Sequence, residues 1–478
     1  MTEAISSMET EQKQAQASWT PMAVVGVAQL MVMLDSTVVN VALPSIGAQL
    51  PADASALQWT ISAYVLMYGS LLLFGGRVAD VLGRRRSFLT GLVVFAAASA
   101  LCGLAGSQNM LVAGRAIQGV GAALLSASAL SIVLAVYQIP QQRKIALTAW
   151  SGLGVLGATI GVVLGGLIVT AVSWRWAFLI NIPVSLAAGV AALRSLPALS
   201  ATGTRSLRVP TAALATAGLA SLSFGLIRFQ DGTTTTAWAS IGLSVVLLGV
   251  LTALELGKSD PLLPLHLLRI PTYWLSSIGL LLAAAVMISS SYLASIFFQR
   301  AHDMSAFAAG LALLPMGLAS LVVAFVVPKL VGAFGPGGVY LMGATAQLIG
   351  TGVLATGTSS TALTIVALAV IGAGLPSCFA PLYGIGSSHV RMEESGVGSG
   401  LLNTFNQTGS ALGIAVIGTI LATVATDRSE AGSSAADATT AGVGQGFLAL
   451  AVCAVLAVGV ALLLRGLTRA PKPATQQS

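Results

Sequence analysis

Long apolar stretches recur along the whole chain, and each is about twenty residues long, the length that an α-helix needs to cross the hydrocarbon core of a bilayer. Apolar residues make up 56% of the 478 positions, whereas charged residues make up only 8%. A typical soluble domain carries about 25% charged residues. We therefore expect an integral membrane protein made of helices, because a spanning segment must satisfy its own backbone hydrogen bonds.

Fourteen apolar windows are long enough to span a bilayer. The predicted helices cover residues 20–43, 57–76, 87–106, 109–136, 146–171, 176–194, 209–229, 237–256, 273–298, 305–327, 337–357, 361–385, 398–425 and 444–465. The boundaries are least defined in 330–388, which contains no Lys, Arg, Asp or Glu and only two turn signals, Gly335-Pro336-Gly337-Gly338 and Thr358–Thr361. Twelve or thirteen spans remain alternatives.

The basic residues favour an even number of spans with both chain ends in the cytoplasm. With fourteen spans, Arg175, Arg228, Arg300 and Arg428 fall in outer loops, Arg115 falls within a span, and every other Lys and Arg is cytoplasmic. This asymmetry follows the positive-inside rule. It predicts a multi-pass protein of the cytoplasmic membrane, and it explains the net charge of +7 without a nucleic-acid partner.

The spans divide as six, two and six, with basic cytoplasmic loops on both sides of the central pair. The predicted organisation is a cytoplasmic tail over 1–19, an N-terminal six-helix bundle over 20–194, a two-helix insert with linkers over 195–272, a C-terminal six-helix bundle over 273–465 and a cytoplasmic tail over 466–478. The first eighteen residues are polar and acidic, which is the wrong order for a cleaved signal peptide.

The two halves share a degraded repeat. The segment GGRVADVLGRRRS at 75–87 has a counterpart in VPKLVGAFGPGG at 327–338. When Gly83 is aligned with Gly335, Gly332 stands where the first copy has Asp80. The second copy therefore lacks the acid.

Asp35 and Arg115 are the two charged residues that fall deep inside predicted spans. A charge at the centre of a membrane helix costs about 2.5–3.5 kcal/mol on insertion scales, so such residues usually face the protein interior and have a function. Low dielectric surroundings favour the protonated carboxyl group, which makes Asp35 a candidate for reversible proton binding. The alternative is a fixed buried ion pair that serves packing alone.

Several segments resemble the signature motifs of the major facilitator superfamily and, within it, of the fourteen-spanner drug:proton antiporter family of multidrug resistance exporters. The resemblance covers nearly the whole chain. The matching segments are LDSTVVNVALP at 34–44, GGRVADVLGRRRS at 75–87, LVAGRAIQGVGAA at 111–123, GLGVLGATIGVVLGG at 152–166, WRWAFLINIPVS at 174–185 and GLLNTFNQTGSALG at 400–413. The two tryptophans of the fifth segment, Trp174 and Trp176, also fit an aromatic anchor at the membrane boundary.

The resemblance implies an all-α major facilitator fold with two six-helix bundles and two extra helices. It further implies a transporter rather than an enzyme: a proton-coupled antiporter that exports antibiotics or other amphiphilic small molecules and needs no cofactor. Its partners would be the small-molecule substrate, protons and the lipid bilayer, and a monomer is the expected functional unit.

The resemblance also assigns roles to residues. Proton coupling falls on Asp35 and Arg115. The gating loop comprises Gly76, Asp80, Gly83, Arg84 and Arg85. The antiporter-type fifth helix carries Gly157, Gly161, Gly165 and Gly166, although Val162 stands where the family usually has proline. The candidates for lining the substrate path are Asn40, Gln118, Asn181, Tyr292, Asn403, Phe405 and Gln407.

Other functions receive less support. A narrow exporter of an endogenous metabolite shares every feature above, and a proton-coupled importer would share the fold and Asp35. The segment Gly257-Lys258-Ser259 lacks the glycine at position 252 that a phosphate-binding loop requires. The three histidines are far apart in sequence, and the three cysteines suggest neither disulfides nor a metal cluster.

Overall fold

The computed structural model describes residues 18–50, 54–197, 209–230, 234–255, 265–357, 359–388, 390–391, 394–430 and 434–468. Within these ranges the chain is almost wholly helical and forms no β-strand. The predicted all-α class is thereby confirmed. The predicted tails and domain boundaries fall partly outside the described residues and stay predictions.

Fourteen long helices follow one another in the described ranges. They are α1 Thr20–Gln49, α2 Ala54–Leu82, α3 Arg84–Gly103, α4 Gln108–Val136, α5 Pro140–Ala171, α6 Asn181–Ser195, α7 Val209–Gln230, α8 Thr234–Glu255, α9 Pro271–Ile296, α10 at 306–334, α11 at 336–355, α12 Thr361–Ser387, α13 Ser395–Glu430 and α14 Ala435–Thr468. One helical turn, Trp176–Leu179, precedes α6, and another, Leu265–Leu268, precedes α9.

Gly335 separates α10 from α11 within the helical stretch Ala306–Ala355. Its backbone has φ 73° and ψ 163°, a conformation that is essentially restricted to glycine. Pro336 then begins α11, where its fixed φ suits a helix start and its missing N–H has no partner to lose. The corner lies where the Gly335-Pro336 turn signal predicts it.

Ten helical stretches among the described residues are long and apolar enough to cross a membrane. One of them, Phe307–Ala355, contains both α10 and α11. Length and composition thus establish a multi-pass membrane protein, and a crossing by each of the fourteen helices stays a prediction.

The helices pack as two groups. In the first group α5 packs on α1, and α4 packs on both α2 and α3. In the second group α12 packs on the pair α10 and α11, while α13 and α14 pack on α9. The groups meet where α2 and α4 contact α13, and where α5 contacts α10 and α12. These two lines of contact position the functional residues.

The helices α7 and α8 form a hairpin outside the two groups. α7 contacts both α2 and α13, whereas α8 packs mainly on α7. The outer face of α8 exposes Trp238, Val245 and Val246. Such a face suits the hydrocarbon of a bilayer, which is as apolar as these side chains.

The two predicted anchoring tryptophans have different surroundings. Trp176 is half exposed, as expected of an aromatic side chain at a membrane boundary. Trp174 is fully buried, and its indole N–H donates to Gln49 at the end of α1 over 3.0 Å. The boundary role therefore suits Trp176, and Trp174 instead ties the start of the sixth span to α1.

Candidate functional site

Asp35 lies at the middle of α1 and is completely buried. Its partner is Arg115 of α4, which is also completely buried and donates from Nη1 to Asp35 Oδ2 over 2.5 Å. The structure therefore brings together the two charges that the sequence places within spans. A buried ion pair of this kind offsets part of the cost of removing both charges from water.

Two amides hold the other oxygen of the Asp35 carboxylate. Gln118 Nε2 and Asn181 Nδ2 donate to Oδ1 over 2.9 and 2.8 Å. Both residues were predicted to line the substrate path. Their side chains are instead buried against Asp35, so we assign them to positioning the carboxylate. Asp35 thus accepts hydrogen bonds from α4 and α6 together.

Arg115 has further partners besides Asp35. Its Nη1 also donates to Gln118 Oε1 over 2.7 Å, and its Nε donates to the backbone oxygen of Thr60 in α2 over 3.1 Å. The guanidinium carbon lies 4.1 Å from the ring centroid of Tyr64, a cation–π contact. These contacts can hold the guanidinium in place even when the Asp35 carboxylate changes charge.

The glycines of α5 lie against the part of α1 that carries Asp35. A Cβ at Gly157 or Gly161 would collide with the backbone oxygen of Leu30 or Leu34, and a Cβ at Gly165 would lie in tight contact with Val38. The two helices therefore touch along consecutive turns, and two of these turns require glycine. Gly166 faces the other way, toward Phe307 of α10. α5 runs without a break through position 162, whose side chain lies outside the described residues.

Asp80, near the end of α2, binds the first turn of α13. Its two oxygens accept the backbone N–H groups of Gly396 and Val397 over 2.8 and 2.9 Å. Helix N-terminal N–H groups attract anions in this way. Gly76, one turn earlier, lies so close to the carbonyl group of Gly396 that a Cβ would overlap it. We call these contacts the α2–α13 interface.

The remaining gating-loop residues act within the first helix group. Gly83 takes φ 91° and turns the chain from α2 into α3. Arg85 donates to the backbone oxygen of Leu193 over 2.6 Å, close to the end of α6. Arg84 is buried at the start of α3. We call the side of the molecule that carries these arginines the basic side.

A second contact closes the basic side between α5 and α12. Arg143 Nη2 donates to Ser387 Oγ over 3.0 Å, and the ring of Trp150 meets the ring of Tyr383 edge-on at 5.1 Å. Between them, Leu147 packs against the backbone at Gly384. These contacts form the α5–α12 interface. The hydroxyl of Tyr383 donates to Asn403 Oδ1 of α13 over 2.7 Å, which joins this predicted lining residue to the interface.

The other predicted lining residues do not converge on one point. Tyr292 is half exposed, and Phe405 packs at the edge of the main hydrophobic core. Gln407 lies opposite Gly69 of α2, near the middle of both helices. The side chain of Asn40 lies outside the described residues.

Several site residues carry no clear sequence signal. Thr60 contributes a backbone oxygen, which any residue could supply. Ser99 accepts from Gln118 over 2.8 Å, but serines are common in membrane helices and usually bond their own backbone. Trp150 offers the one usable signal, because it lies about ten residues inside α5, away from the boundary zone where membrane tryptophans concentrate.

One helix group holds a buried, charge-paired carboxylate, and its interfaces with the other group close one side of the molecule. This arrangement is that of a multi-pass membrane transporter. The chain is matched by the profile of the Major Facilitator Superfamily over residues 25–414. It belongs to that superfamily, whose members carry small molecules across membranes.

Relatives of known role are resistance and export proteins. The puromycin resistance protein of Streptomyces alboniger is 32% identical over 93% of this chain and 89% of its own length. The cephamycin export protein of Amycolatopsis lactamdurans is 34% identical, covering 82% and 83% of the two chains. The tetracenomycin C resistance and export protein of Streptomyces glaucescens is 31% identical, covering 84% and 76%.

Solved structures confirm the fold. The human organic anion transporter MFSD10 superposes with a TM-score of 0.65 at 17% identity, covering 91% of this chain and 99% of that one. The proton:xylose symporter XylE gives a TM-score of 0.59 at 14% identity, with coverage of 91% and 94%. At these identities the likeness establishes the major facilitator fold alone.

Proposed function

We propose that this protein is a proton-coupled antiporter that exports antibiotics or other amphiphilic small molecules across the cytoplasmic membrane. The observation that carries the proposal is the Asp35 carboxylate, which is completely buried at the middle of α1 and paired with Arg115. A buried ionisable group inside a membrane span is a functional site by default. The resistance and export roles of the relatives support the direction of transport.

A proton on Asp35 would break its bond with Arg115. All three groups that face the carboxylate are donors, so a proton on Oδ2 takes the position that Arg115 Nη1 now fills. Gln118 Oε1, the Thr60 oxygen and the Tyr64 ring remain available to the guanidinium. Protonation therefore breaks the ion pair between α1 and α4 and leaves the guanidinium with its other hydrogen-bond partners, while Gln118 can still donate to Oδ1.

The movement of α1 reaches the basic side through α5. The glycines of α5 hold α1 next to Asp35, and the same helix carries Arg143 and Trp150 of the α5–α12 interface. A shift of α1 thus moves one wall of that interface. Such a contiguous contact path permits coupling between proton binding and the rocking of the two groups.

In this proposal both chain ends and the basic side are cytoplasmic, as the positive-inside rule requires. The conformation described here is then closed toward the cytoplasm. One proton that crosses about 100 mV supplies about 2.3 kcal/mol, which sustains a substrate gradient of roughly fifty-fold. The mechanism needs no cofactor, and a monomer contains every residue it uses.

Transport in inverted membrane vesicles tests the proposal. Candidate antibiotics are added to vesicles that hold an acid-inside pH gradient, and a pH-sensitive dye reports proton release. We expect release with the native protein and none with Asp35→Asn, which keeps the size of the side chain and removes its charge. Asp303→Asn is the matched control, since Asp303 is exposed and its φ of 50° also suits asparagine.

Full proton release by Asp35→Asn would overturn the coupling role of this residue. Proton uptake together with substrate, in vesicles whose exterior is the acid side, would indicate an importer. A binding assay on the same variants separates loss of coupling from loss of substrate binding.

A narrow exporter of one compound is the second candidate. The names of the three relatives described above favour it, because puromycin, cephamycin and tetracenomycin C each appear alone in one of them. A panel of unrelated antibiotics distinguishes the two: a broad exporter releases protons with several members, whereas a narrow one responds to a single chemical class.

A further inference from the structure

We propose that the α5–α12 interface, together with Asn403, is a substrate-binding site of the inward-open state, and that it takes aromatic ligands with a hydrogen-bond-accepting or anionic group. This inference rests on the proposed export function and names the class of substrate. The four residues that would hold the ligand are Arg143 and Trp150 of α5, Tyr383 of α12 and Asn403 of α13.

Two buried donors at this place lack a partner. The indole N–H of Trp150 and the amide N–H₂ of Asn403 find no acceptor among the described residues. Both side chains are more than nine-tenths buried, at 4% and 5% exposure. A buried donor without an acceptor costs about 1–3 kcal/mol, so native structures rarely keep one without a function. The closed form carries that cost, and when the interface opens the same two donors can bind acceptors that a ligand offers.

Arg143 adds a positive charge without a carboxylate partner in the part of the chain that the structure describes. Its hydrogen bonds go to the hydroxyl and the backbone oxygen of Ser387, both neutral groups, and its Nε is buried and unpartnered. Guanidinium groups bind carboxylates, phenolates and sulfonates strongly and in fixed geometry. The positive charge of Arg143, at the basic-side end of this interface, therefore attracts anionic groups and repels cationic ones.

The two rings supply the apolar part of the site. Trp150 and Tyr383 meet at 87° in the closed conformation, and each covers the other. When α5 and α12 separate, both rings become accessible from the basic side, together with the two donors. A planar aromatic ligand can then replace one ring as the partner of the other, a contact worth about 0.5–1.5 kcal/mol beyond area burial.

Three naphthalene probes test the charge preference with the ring held constant: 2-naphthoate, 2-naphthamide and 2-naphthylmethylammonium. Their binding is measured on the purified protein in lipid nanodiscs by equilibrium dialysis, and binding to empty nanodiscs is subtracted. We expect naphthoate to bind about tenfold more tightly than the ammonium probe, with the amide in between. Equal binding of all three, preference for the cation, or no binding at millimolar concentration would each overturn the proposal.

Substitutions test which residues cause the preference for an anionic probe. Arg143→Gln should weaken naphthoate about tenfold and leave naphthamide within about twofold. Trp150→Leu should weaken all three probes, and Trp238→Leu, on the lipid-facing side of α8, is its matched control. Asn403→Asp replaces two donors with a charge and should reverse the order, so that the ammonium probe binds best. An unchanged order in both Arg143→Gln and Asn403→Asp would contradict the site.

The dependence on conformation has its own test. Asp80→Asn weakens the α2–α13 interface, so it should raise the inward-open population and tighten the apparent affinity for naphthoate by the same factor. Unchanged affinity would show that binding does not require opening. None of these measurements needs a proton gradient, so a failure of coupling in the vesicle assay and a failure of this binding site are distinguishable.

Discussion

At the α2–α13 interface the Asp80 carboxylate accepts hydrogen bonds from two backbone N–H groups, whereas at the α5–α12 interface the Arg143 guanidinium donates to a serine hydroxyl. The first copy of the sequence repeat belongs to the α2–α13 interface, whereas the second copy lies on α10 and α11, outside the residues that form the α5–α12 interface. The chain has kept Asp80 in the first copy and has Gly332 in the second. Space around Gly332 is open, with no atom within 4 Å of an added Cβ.

The corner itself is common to both copies. Gly83 and Gly335 both take positive φ and both redirect the chain from one helix into the next. The repeat therefore preserves backbone geometry while the electrostatic contact exists in one copy only. The comparison teaches that both copies of the repeat need the glycine corner, whereas the contact of an acid with a helix N-terminus is needed in the first copy alone.

Gly76→Ala should lower the population of the closed form more than any of the variants that follow. The new Cβ would overlap backbone atoms of Gly396 and Val397, which cannot rotate aside. Overpacking of this kind costs about 1–3 kcal/mol, so the closed form should lose roughly five- to 150-fold in population relative to the open form. The readout is the rate at which a thiol reagent modifies Ser399→Cys, a buried position on α13. Gly332→Ala is the control; equal labelling of both variants would contradict the prediction.

Asp80→Asn should have the second-largest effect on the population of the closed form. Asparagine keeps one acceptor oxygen and removes the charge, so a hydrogen bond of about 1.5–3 kcal/mol becomes one of about 0.5–1.5 kcal/mol. We expect about tenfold faster labelling of Ser399→Cys. Gly332→Asn places the same amide at the related corner and should leave labelling unchanged. Normal labelling of Asp80→Asn would show that shape alone holds α2 on α13.

Gly83→Ala and Gly335→Ala should destabilise the protein to a similar extent. Each forces a side chain into a conformation that costs about 1–3 kcal/mol. The measurement is the melting temperature in detergent. Gly242→Ala on α8 is the control, since it has open space and helical backbone, where alanine is favoured. A lower melting temperature for Gly83→Ala alone would break the equivalence of the two corners.

Arg143→Gln should have the smallest effect on closure. Arg143 is partly exposed, and solvent weakens its charge-assisted hydrogen bond to Ser387, so labelling of Ser399→Cys should rise only a few fold. The double variant with Asp80→Asn should show the product of the two factors, because the residues share no partner. A larger effect from Arg143→Gln than from Asp80→Asn would reverse the assignment of the two interfaces.

The sequence predicts those features that depend on charges being rare within membrane spans or on local backbone geometry. Asp35 and Arg115 are the two charges inside predicted spans, so a pair between them is the economical arrangement in a bilayer. Glycines followed by a helix start predict the corners at Gly83 and Gly335. The regular spacing of Gly157, Gly161 and Gly165 predicts close packing on one face.

Contacts that depend on helix rotation or on distant segments are not predictable in this way. Gln118 and Asn181 could face a substrate or a carboxylate, and only the assembled bundle decides for the carboxylate. Trp150 and Tyr383 meet because two separate helix groups close on each other. The local sequence around either residue does not indicate that it contacts the other.

The position of α7 has a consequence for molecules dissolved in the bilayer. Because α7 contacts both α2 and α13, it covers the outer edge of the interface between them. A crevice that opens along α2 and α13 would thus be shielded from lipid tails at that edge. An amphiphile partitioned into the inner leaflet would find no side entrance on this flank of the molecule.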